Sequence, residues 1–261
     1  MDTRPIALFD SGIGGLTVMQ KIKDYLPNEN IIYFGDTARV PYGSKSKKTI
    51  INYSREIVSF LSKKDVKLII IACGTASSLA YDTLIKEFDI PIINVIIPTC
   101  KVIDSNKIGV IATKATIKSN TWELTLRKYH KNITVYSKAC PLFVPIVEEN
   151  LANSEIAKYS IDLYLKTFKK NKIQSLILGC THYPIMSSLI SDYLGKEVKI
   201  FNIGEACSKK TKDFLKKNDL LNSQKKKPYY QAYLTDSTAS FKKSAKLYCD
   251  IEFDKVTKVS L

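Results

Sequence analysis

Two short stretches of the chain each lead an apolar segment into a small residue, a cysteine and a threonine: "IIIACGTASS" at 69–78 and "LILGCTHYP" at 176–184. In both, the apolar part is typical of a buried strand, and the small and polar residues after it are typical of a turn into a helix. Ligands of parallel α/β sheets bind beyond the carboxyl ends of the strands. The two stretches therefore place Cys73 and Cys180 where a ligand would bind.

Apolar, mostly β-branched runs of this kind recur along the chain. Segments with helical periodicity separate several of them, at 15–26, 46–64 and 154–170. Strands that alternate with helices indicate βαβ units, so we predict an α/β fold with mainly parallel sheets covered by helices on both faces. The predicted strands are 6–9, 31–34, 67–72, 92–96, 107–112, 133–137, 175–179 and 198–202.

These strands could form one large sheet or two small ones. In each half of the chain one strand ends in a polar or glycine-containing turn, at 10–15 and 113–119, and another ends in cysteine and threonine. This weak internal duplication favours two similar lobes, each a mainly parallel sheet flanked by helices, with the active site in the cleft between them. Cys73 and Cys180 would then face one cleft from opposite sides. A single sheet is the alternative.

The composition indicates a globular protein of the cytoplasm. The 261 residues are 45% hydrophobic, enough for one sizeable core or two smaller ones. The first residues lack the basic and apolar regions of a signal peptide, and no apolar run approaches the roughly 18 residues of a membrane span. We therefore expect a cytoplasmic protein with no membrane partner.

The formal net charge of +15 raises the question of a nucleic-acid partner. The lysine runs are scattered, at 44–48, 166–172, 209–217 and 223–228, and mostly lack interleaved aromatic residues. This distribution favours a solvated lysine-rich surface and no nucleic-acid partner, with a basic nucleic-acid binder as the alternative. A positive field would still attract a small anionic substrate.

The cysteines form no metal or redox motif. The chain has six cysteines and two histidines, without a Cys-x-x-Cys pair, so neither a zinc site nor a dithiol site is indicated. A single cysteine is more often a small buried apolar residue than a reactive one. A chemical role for Cys73 or Cys180 must therefore be argued from the neighbouring residues.

The turn "FDSGIGG" at 9–15 could hold an anion. Asp10 and Ser11 leave a strand there, and the glycines allow a tight turn before a helix whose first amides can bind a carboxylate. The spacing is not G-x-G-x-x-G and no Walker lysine follows, so a nucleotide site is poorly supported. The alternative is a plain turn in which Asp10 or Ser11 caps the helix.

Both cysteine turns offer a partner for the thiol. His182 follows Cys180 by two residues, and the strand that ends at Asp10 could lie beside Cys73. A thiol can act as a nucleophile or as an acid and base, and a cysteine hydrolase using Cys180 and His182 is one alternative. Two thiols on opposed lobes better suit racemisation or epimerisation, in which each serves as base in one direction and as acid in the other.

Five segments together carry a specific resemblance: "ALFDSGIGGLTV" at 7–18, "YFGDTARVPYG" at 33–43, "IIACGTAS" at 70–77, "CPLFVPIVEE" at 140–149 and "LILGCTHYP". Over about 1–205 the chain resembles the cofactor-independent aspartate/glutamate racemase family. The resemblance implies a small-molecule substrate, with interconversion of L- and D-glutamate that supplies bacterial peptidoglycan synthesis. It also implies neither a pyridoxal phosphate cofactor nor a metal. Aspartate is the near alternative as substrate.

The resemblance also implies a domain organisation. The family has two similar α/β lobes, one of them built from both chain ends. We therefore expect a first lobe of 1–97 plus 207–261 and a second lobe of 98–206. A homodimer is left open as the assembly.

By motif position, the resemblance assigns roles to individual residues. Cys73 would deprotonate D-glutamate with help from Asp10, and Cys180 would deprotonate L-glutamate with help from His182 and Glu148. The family commonly has asparagine at the position of Gly74, so we interpret Gly74 as a gap where an amide would contact the amino acid. The expected substrate-binding residues are Asp10, Ser11, Pro41, Tyr42, Gly43, Gly74, Thr75, Thr116, Thr181 and His182.

Overall fold

The computed structural model describes residues 2–224, 226–236, 241–242, 244–246 and 249–261. The strands within these ranges are β1 (Ile6–Asp10), β2 (Ile31–Gly35), β3 (Leu68–Ile71), β4 (Ile92–Asn94), β5 (Lys107–Ala112), β6 (Thr134–Ala139), β7 (Ser175–Leu178), β8 (Lys199–Asn202), β9 (Tyr230–Leu234) and β10 (Lys255–Lys258).

Helices occupy most of the connections between these strands. Two short 3₁₀ helices span Tyr42–Ser44 and Tyr183–Met186. The α-helices are α1 (Leu16–Tyr25), α2 (Lys47–Ser62), α3 (Gly74–Leu79), α4 (Tyr81–Glu87), α5 (Ile96–Lys101), α6 (Lys114–Lys118), α7 (Thr121–Tyr129), α8 (Phe143–Glu148), α9 (Glu155–Lys170), α10 (Ser187–Leu194) and α11 (Ile203–Lys217). No helix in the described ranges is long and apolar enough to cross a membrane.

The strands form two sheets within the described part of the chain, with the orders β10-β9-β2-β1-β3-β4 and β6-β5-β7-β8. Every strand pair in both sheets is parallel, which requires crossover connections such as these helices. The predicted α/β fold with two sheets is confirmed, and the single-sheet alternative is wrong. The lobe boundaries themselves stay a prediction.

The first sheet contains two strands that the sequence patterns did not predict. β9 alternates buried and half-buried residues, and β10 is a short edge strand with a lysine at each end. Neither is the continuous apolar run by which the other strands were recognised. β9 pairs with β2, so the end of the chain joins the sheet that the beginning of the chain forms.

Burial differs between the central strands and the edges of the second sheet, whereas β4 is buried throughout although it is an edge of the first sheet. β1, β2, β3 and β7 are buried throughout, as expected for strands covered by helices on both faces. β6 and β8 are the edges of the second sheet and are largely half-buried or exposed. The expectation of buried strands therefore holds for the central strands and not for these edges.

The central strands of the two sheets position the predicted site. β1 and β3 are neighbours in the first sheet, and β5 and β7 are neighbours in the second. Because paired parallel strands end at the same edge, Asp10 and Cys73 emerge together, and Cys180 emerges beside the turn that follows β5. The turns at these carboxyl ends border one cleft.

Candidate active site

A cavity of about 370 Å³ lies between the carboxyl ends of the two sheets. Both cysteines line it, Cys73 from the first sheet and Cys180 from the second. Asp10 and Thr116 do not line it and lie buried behind its wall. The other predicted site residues all border the cavity: Ser11, Pro41, Tyr42, Gly43, Gly74, Thr75, Glu148, Thr181 and His182.

Cys73 is held in place by the start of α3. It is the N-cap residue of that helix, and its Sγ accepts a hydrogen bond of 3.5 Å from the Ala76 amide. The thiol donates to Ser11 Oγ at 3.7 Å. Burial, and next the negative charge of Asp10, raise the pKa of Cys73 to about 12. The resting thiol is therefore protonated at neutral pH.

Asp10 is fully buried at the end of β1. Its Oδ2 accepts hydrogen bonds from the amides of Gly12 at 3.2 Å and Gly15 at 3.0 Å. Burial raises the pKa of the Asp10 carboxyl, although the positive charge of His182 and these amides oppose the shift. The Tyr33 hydroxyl donates to the Gly12 carbonyl at 2.8 Å and thereby helps to fix the turn that follows Asp10.

Cys180 begins a chain of three groups that can exchange protons. Its Sγ lies 3.8 Å from His182 Nδ1, and His182 Nε2 lies 3.1 Å from Glu148 Oε1. Burial alone lowers the pKa of His182, but its hydrogen bonds with Cys180 and Glu148 outweigh burial and raise the pKa to about 10. His182 can therefore hold a proton next to the sulfur at neutral pH. Glu148 is the last residue of α8, and it reaches His182 from a different segment of the same lobe.

Three threonine hydroxyls join the two sheets at the edge of the cavity. Thr75 Oγ1 lies 2.9 Å from Thr113 Oγ1 and 3.2 Å from Thr116 Oγ1, and the latter two are 2.9 Å apart. Thr113 lines the cavity and was missed by the sequence reasoning. Its place directly after β5, as N-cap of α6, is the signal that could have identified it.

The loop that carries Pro41, Tyr42 and Gly43 is anchored by Asp36. The buried carboxylate of Asp36 accepts hydrogen bonds from the Tyr42 hydroxyl, from Arg39 Nε at 2.7 Å and from Thr235 Oγ1 at 2.9 Å. The phenol of Tyr42 is thus engaged by Asp36 and is buried. Asp36 was also missed, because its partners lie in the loop itself and in the distant turn after β9.

The structure leaves no open space at Gly74, and the loss of a substrate contact there stays a prediction. A Cβ built at Gly74 would overlap the carbonyl oxygen of Gly179, the residue before Cys180. A Cβ at Gly43 would lie 2.8 Å from Thr113 Cβ, again closer than ordinary contact. At both positions the turns after the two sheets lie close together in this structure.

The site offers thiol chemistry with two separate acid and base groups. Within the described ranges, no group of three or more histidine, cysteine, aspartate or glutamate side chains is placed to hold a metal ion. The six cysteines are free thiols. Two thiols from different sheets that border one small cavity can remove a proton from one face of a carbon and deliver a proton to the other face.

Comparison with known proteins gives a consistent result. The sequence model of a family described as Asp/Glu/Hydantoin racemase matches residues 8–206. A glutamate racemase of Aquifex aeolicus is 43% identical over 257 residues, which are 97% of this chain and 97% of that protein.

Solved structures resemble the whole chain. A glutamate racemase of Francisella tularensis, crystallised in complex with D-glutamate, is 43% identical with a TM-score of 0.94, covering 100% of this chain and 98% of that one. A glutamate racemase isoform of Bacillus anthracis is 34% identical with a TM-score of 0.95, covering 100% and 99%. The likeness extends over the cleft and over both sheets.

Proposed function

Because the chain belongs to the Asp/Glu/Hydantoin racemase family, we propose that it is a glutamate racemase that interconverts L- and D-glutamate with two thiols. One observation carries the proposal: Cys73 and Cys180 border the same cavity from different sheets, each with its own polar partners. The full-length relatives named glutamate racemase and the neighbour crystallised with D-glutamate support glutamate as the substrate.

In the direction from L-glutamate, the Cys180 thiolate removes the α-proton. The electron pair of the broken C–H bond stays on the substrate as a carbanion, and the Cys73 thiol donates its proton to the opposite face. The products are D-glutamate, a Cys180 thiol and a Cys73 thiolate. The reverse direction exchanges the two roles. Burial keeps Cys73 protonated at neutral pH, which suits its role as the acid for L-glutamate.

The supporting groups follow from the same geometry. His182, hydrogen-bonded to Glu148, accepts and returns the proton of Cys180 between turnovers. Asp10, behind Cys73, modulates the proton affinity of that thiol through its charge. Ser11, Thr75, Thr181 and the backbone of 41–43 and 74 hold the carboxylates and the amino group of the substrate.

The α-proton of an amino acid is a far weaker acid than a thiol, so the site must stabilise the carbanion. Hydroxyl and amide donors fixed before the reaction begins act most strongly where water is excluded. The cavity is small, and both cysteines are about 5% exposed, so the reacting carbon would be largely separated from bulk water.

The biological setting is part of the proposal. The reaction would supply D-glutamate for peptidoglycan synthesis in the cytoplasm. The two lobes would be 1–97 plus 207–261, and 98–206. The division of strands between the two sheets supports this organisation.

The direct test is to incubate L-glutamate with the purified protein, without any added cofactor, and follow the optical signal by circular dichroism or the enantiomers by chiral chromatography. Formation of D-glutamate until both enantiomers are equal supports the proposal. The same assay with L-aspartate separates glutamate from aspartate as the substrate. A protein that racemises neither amino acid contradicts the proposal.

A further inference from the structure

The turn that follows β9 is hydrogen-bonded to the segment that leaves β2. Thr235 Oγ1 donates to Asp36 Oδ1 at 2.9 Å and accepts from the Ala38 amide at 2.9 Å. Thr37 Oγ1 donates to the Asp236 carbonyl at 2.6 Å and accepts from the Asp236 amide at 2.8 Å. Because β9 pairs with β2 in parallel, both segments leave the first sheet at the same edge. The sheet thus brings together residues that lie 199 positions apart in the chain.

A buried carboxylate depends on its hydrogen-bond donors, because an unpaired charge in a protein interior is costly. Asp36 is fully buried, and in the described ranges its carboxylate accepts side-chain hydrogen bonds from Arg39, Tyr42 and Thr235. Arg39 and Tyr42 belong to the same loop as Asp36, at 36–43, so their bonds fix the shape of the loop. Thr235 comes from a different strand, so its bond fixes the loop relative to the sheet.

The same carboxylate connects Thr235 to the cavity. Tyr42 is buried, lines the cavity and donates its phenol proton to Asp36 Oδ2. Pro41 and Gly43, on either side of Tyr42, also line the cavity, whereas Thr235 does not. A change at Thr235 therefore reaches a ligand in the cavity through the loop and not by direct contact.

We propose that Thr235 is a positioning residue for substrate binding: its hydroxyl holds the loop at 41–43 in the place where this loop contacts glutamate. The proposal rests on the racemase function and the substrate-binding role of this loop proposed above. It gives a role to a part of the chain outside residues 8–206, which the family model matches. Since the loop holds the substrate before and during proton transfer alike, loss of the hydroxyl should weaken binding of the ground state and of the transition state equally.

The experiment compares wild type, Thr235→Val and Thr235→Ser in steady-state racemisation of L- and D-glutamate. Valine has nearly the shape of threonine but lacks the hydroxyl, whereas serine keeps it. Arg39 and Tyr42 still bond the Asp36 carboxylate in Thr235→Val, so we expect KM to rise about fivefold in both directions, the effect of one ordinary hydrogen bond. The kcat of this variant should change less than about twofold, and Thr235→Ser should keep KM within about twofold of wild type.

Thr257→Val is the matched control. Thr257 lies on β10, the neighbour of β9 in the same sheet. It is half-buried like Thr235, and its side chain makes no hydrogen bond with another residue of the described ranges. This variant should keep the wild-type KM. Partial unfolding of a variant lowers the concentration of active enzyme, and hence the apparent kcat, but not KM. The KM of Thr235→Val therefore reports on the loop even where stability is reduced.

The outcomes separate this inference from the proposed function. An active wild type together with a Thr235→Val variant of unchanged KM overturns the role of Thr235 alone. An equal rise of KM in Thr235→Ser also overturns it, because the hydroxyl would then not be the cause, and so does an equal rise in Thr257→Val. A wild-type protein that racemises neither glutamate nor aspartate contradicts the proposed function itself, and the role of Thr235 is then rejected with it.

Discussion

Thr75 and Thr113 follow strands of different sheets, yet their hydroxyl oxygens lie 2.9 Å apart. Thr75 lies in the first turn of α3, two residues after Cys73, and Thr113 caps α6 after β5. This hydrogen bond joins the two lobes at the edge of the cavity. Thr113, which no motif identified, thus contacts Thr75, which belongs to the motif at 70–77.

Replacing Thr113 by valine should weaken catalysis through this link. The isosteric change leaves Thr75 with only the Thr116 hydroxyl, at 3.2 Å. A typical hydrogen bond contributes about 1 kcal/mol, so kcat/KM for glutamate should fall roughly fivefold. Steady-state racemisation assays measure the change. Thr125→Val, on a helix away from the cavity, is the control, and an equal loss in that variant would contradict the assignment.

Serine substitution of either cysteine should abolish racemisation in both directions, by about 10²-fold or more, because inversion needs both thiols. In deuterated water, Cys73→Ser should label only L-glutamate, since Cys180 can still exchange the proton on its own face. Cys180→Ser should label only D-glutamate. Chiral separation followed by mass spectrometry distinguishes the two enantiomers.

Two results would contradict this assignment. Near-normal racemisation by either serine variant would show that one thiol is dispensable. Labelling of the same enantiomer by both variants would show that the thiols do not serve opposite faces of the substrate. A covalent adduct on Cys180 would instead favour the cysteine hydrolase.

Glu148→Gln should change the pH dependence of the reaction from L-glutamate. The hydrogen bond with Glu148 is one of the causes that raise the pKa of His182 to about 10. Loss of the carboxylate charge should lower that pKa by about one unit, so the alkaline limb of the kcat profile should move to lower pH. Glu149→Gln removes the neighbouring exposed carboxylate and should leave the profile unchanged. A profile that is the same for Glu148→Gln and wild type would exclude Glu148 from the proton relay.

The same raised pKa should make the folded protein less stable as the pH rises. His182 has a higher pKa in the folded protein than its ordinary value of 6.5, so its contribution is complete below about pH 6.5 and is lost as the pH passes about 10. Cys73, with its pKa raised from 9.0 to about 12, adds a further loss above about pH 9. Denaturant unfolding between pH 6 and 10 should show the decline, and His182→Asn should flatten it between about 6.5 and 9. An equal slope in that variant would contradict the protonation of His182.

Asp36→Asn should raise KM for glutamate more than it lowers kcat. Asp36 anchors the loop at 41–43 through hydrogen bonds from Arg39, Tyr42 and Thr235, but it does not line the cavity. Loss of a charged hydrogen bond costs about 1.5–3 kcal/mol. About half of this free energy, spent on loosening the loop at 41–43, corresponds to a KM increase of about tenfold. Asp162→Asn, whose carboxylate accepts a bond of 2.7 Å from Tyr193 on the surface, is the matched control. A fall in kcat alone would contradict this role.

The sequence by itself determined what depends on neighbours along the chain. Apolar runs of four to six residues, each followed by small and polar residues, are enough to specify buried parallel strands and the turns after them. For that reason the α/β fold and the places of Cys73 and Cys180 at strand ends could be read directly. His182 could be assigned to Cys180 for the same reason, because only one residue separates them.

Tertiary structure decided what depends on how the two sheets are placed relative to each other. The contact of Gly74 with Gly179 and the bond of Thr75 to Thr113 join residues far apart in sequence, and no local periodicity encodes them. β10 is the edge strand of the first sheet and β9 lies next to it with half of its residues only partly buried, so their sequences carry no continuous apolar signal. The thiols and their turns are local features, whereas the distance between the thiols is set only when the packed cores bring both sheets to one cleft.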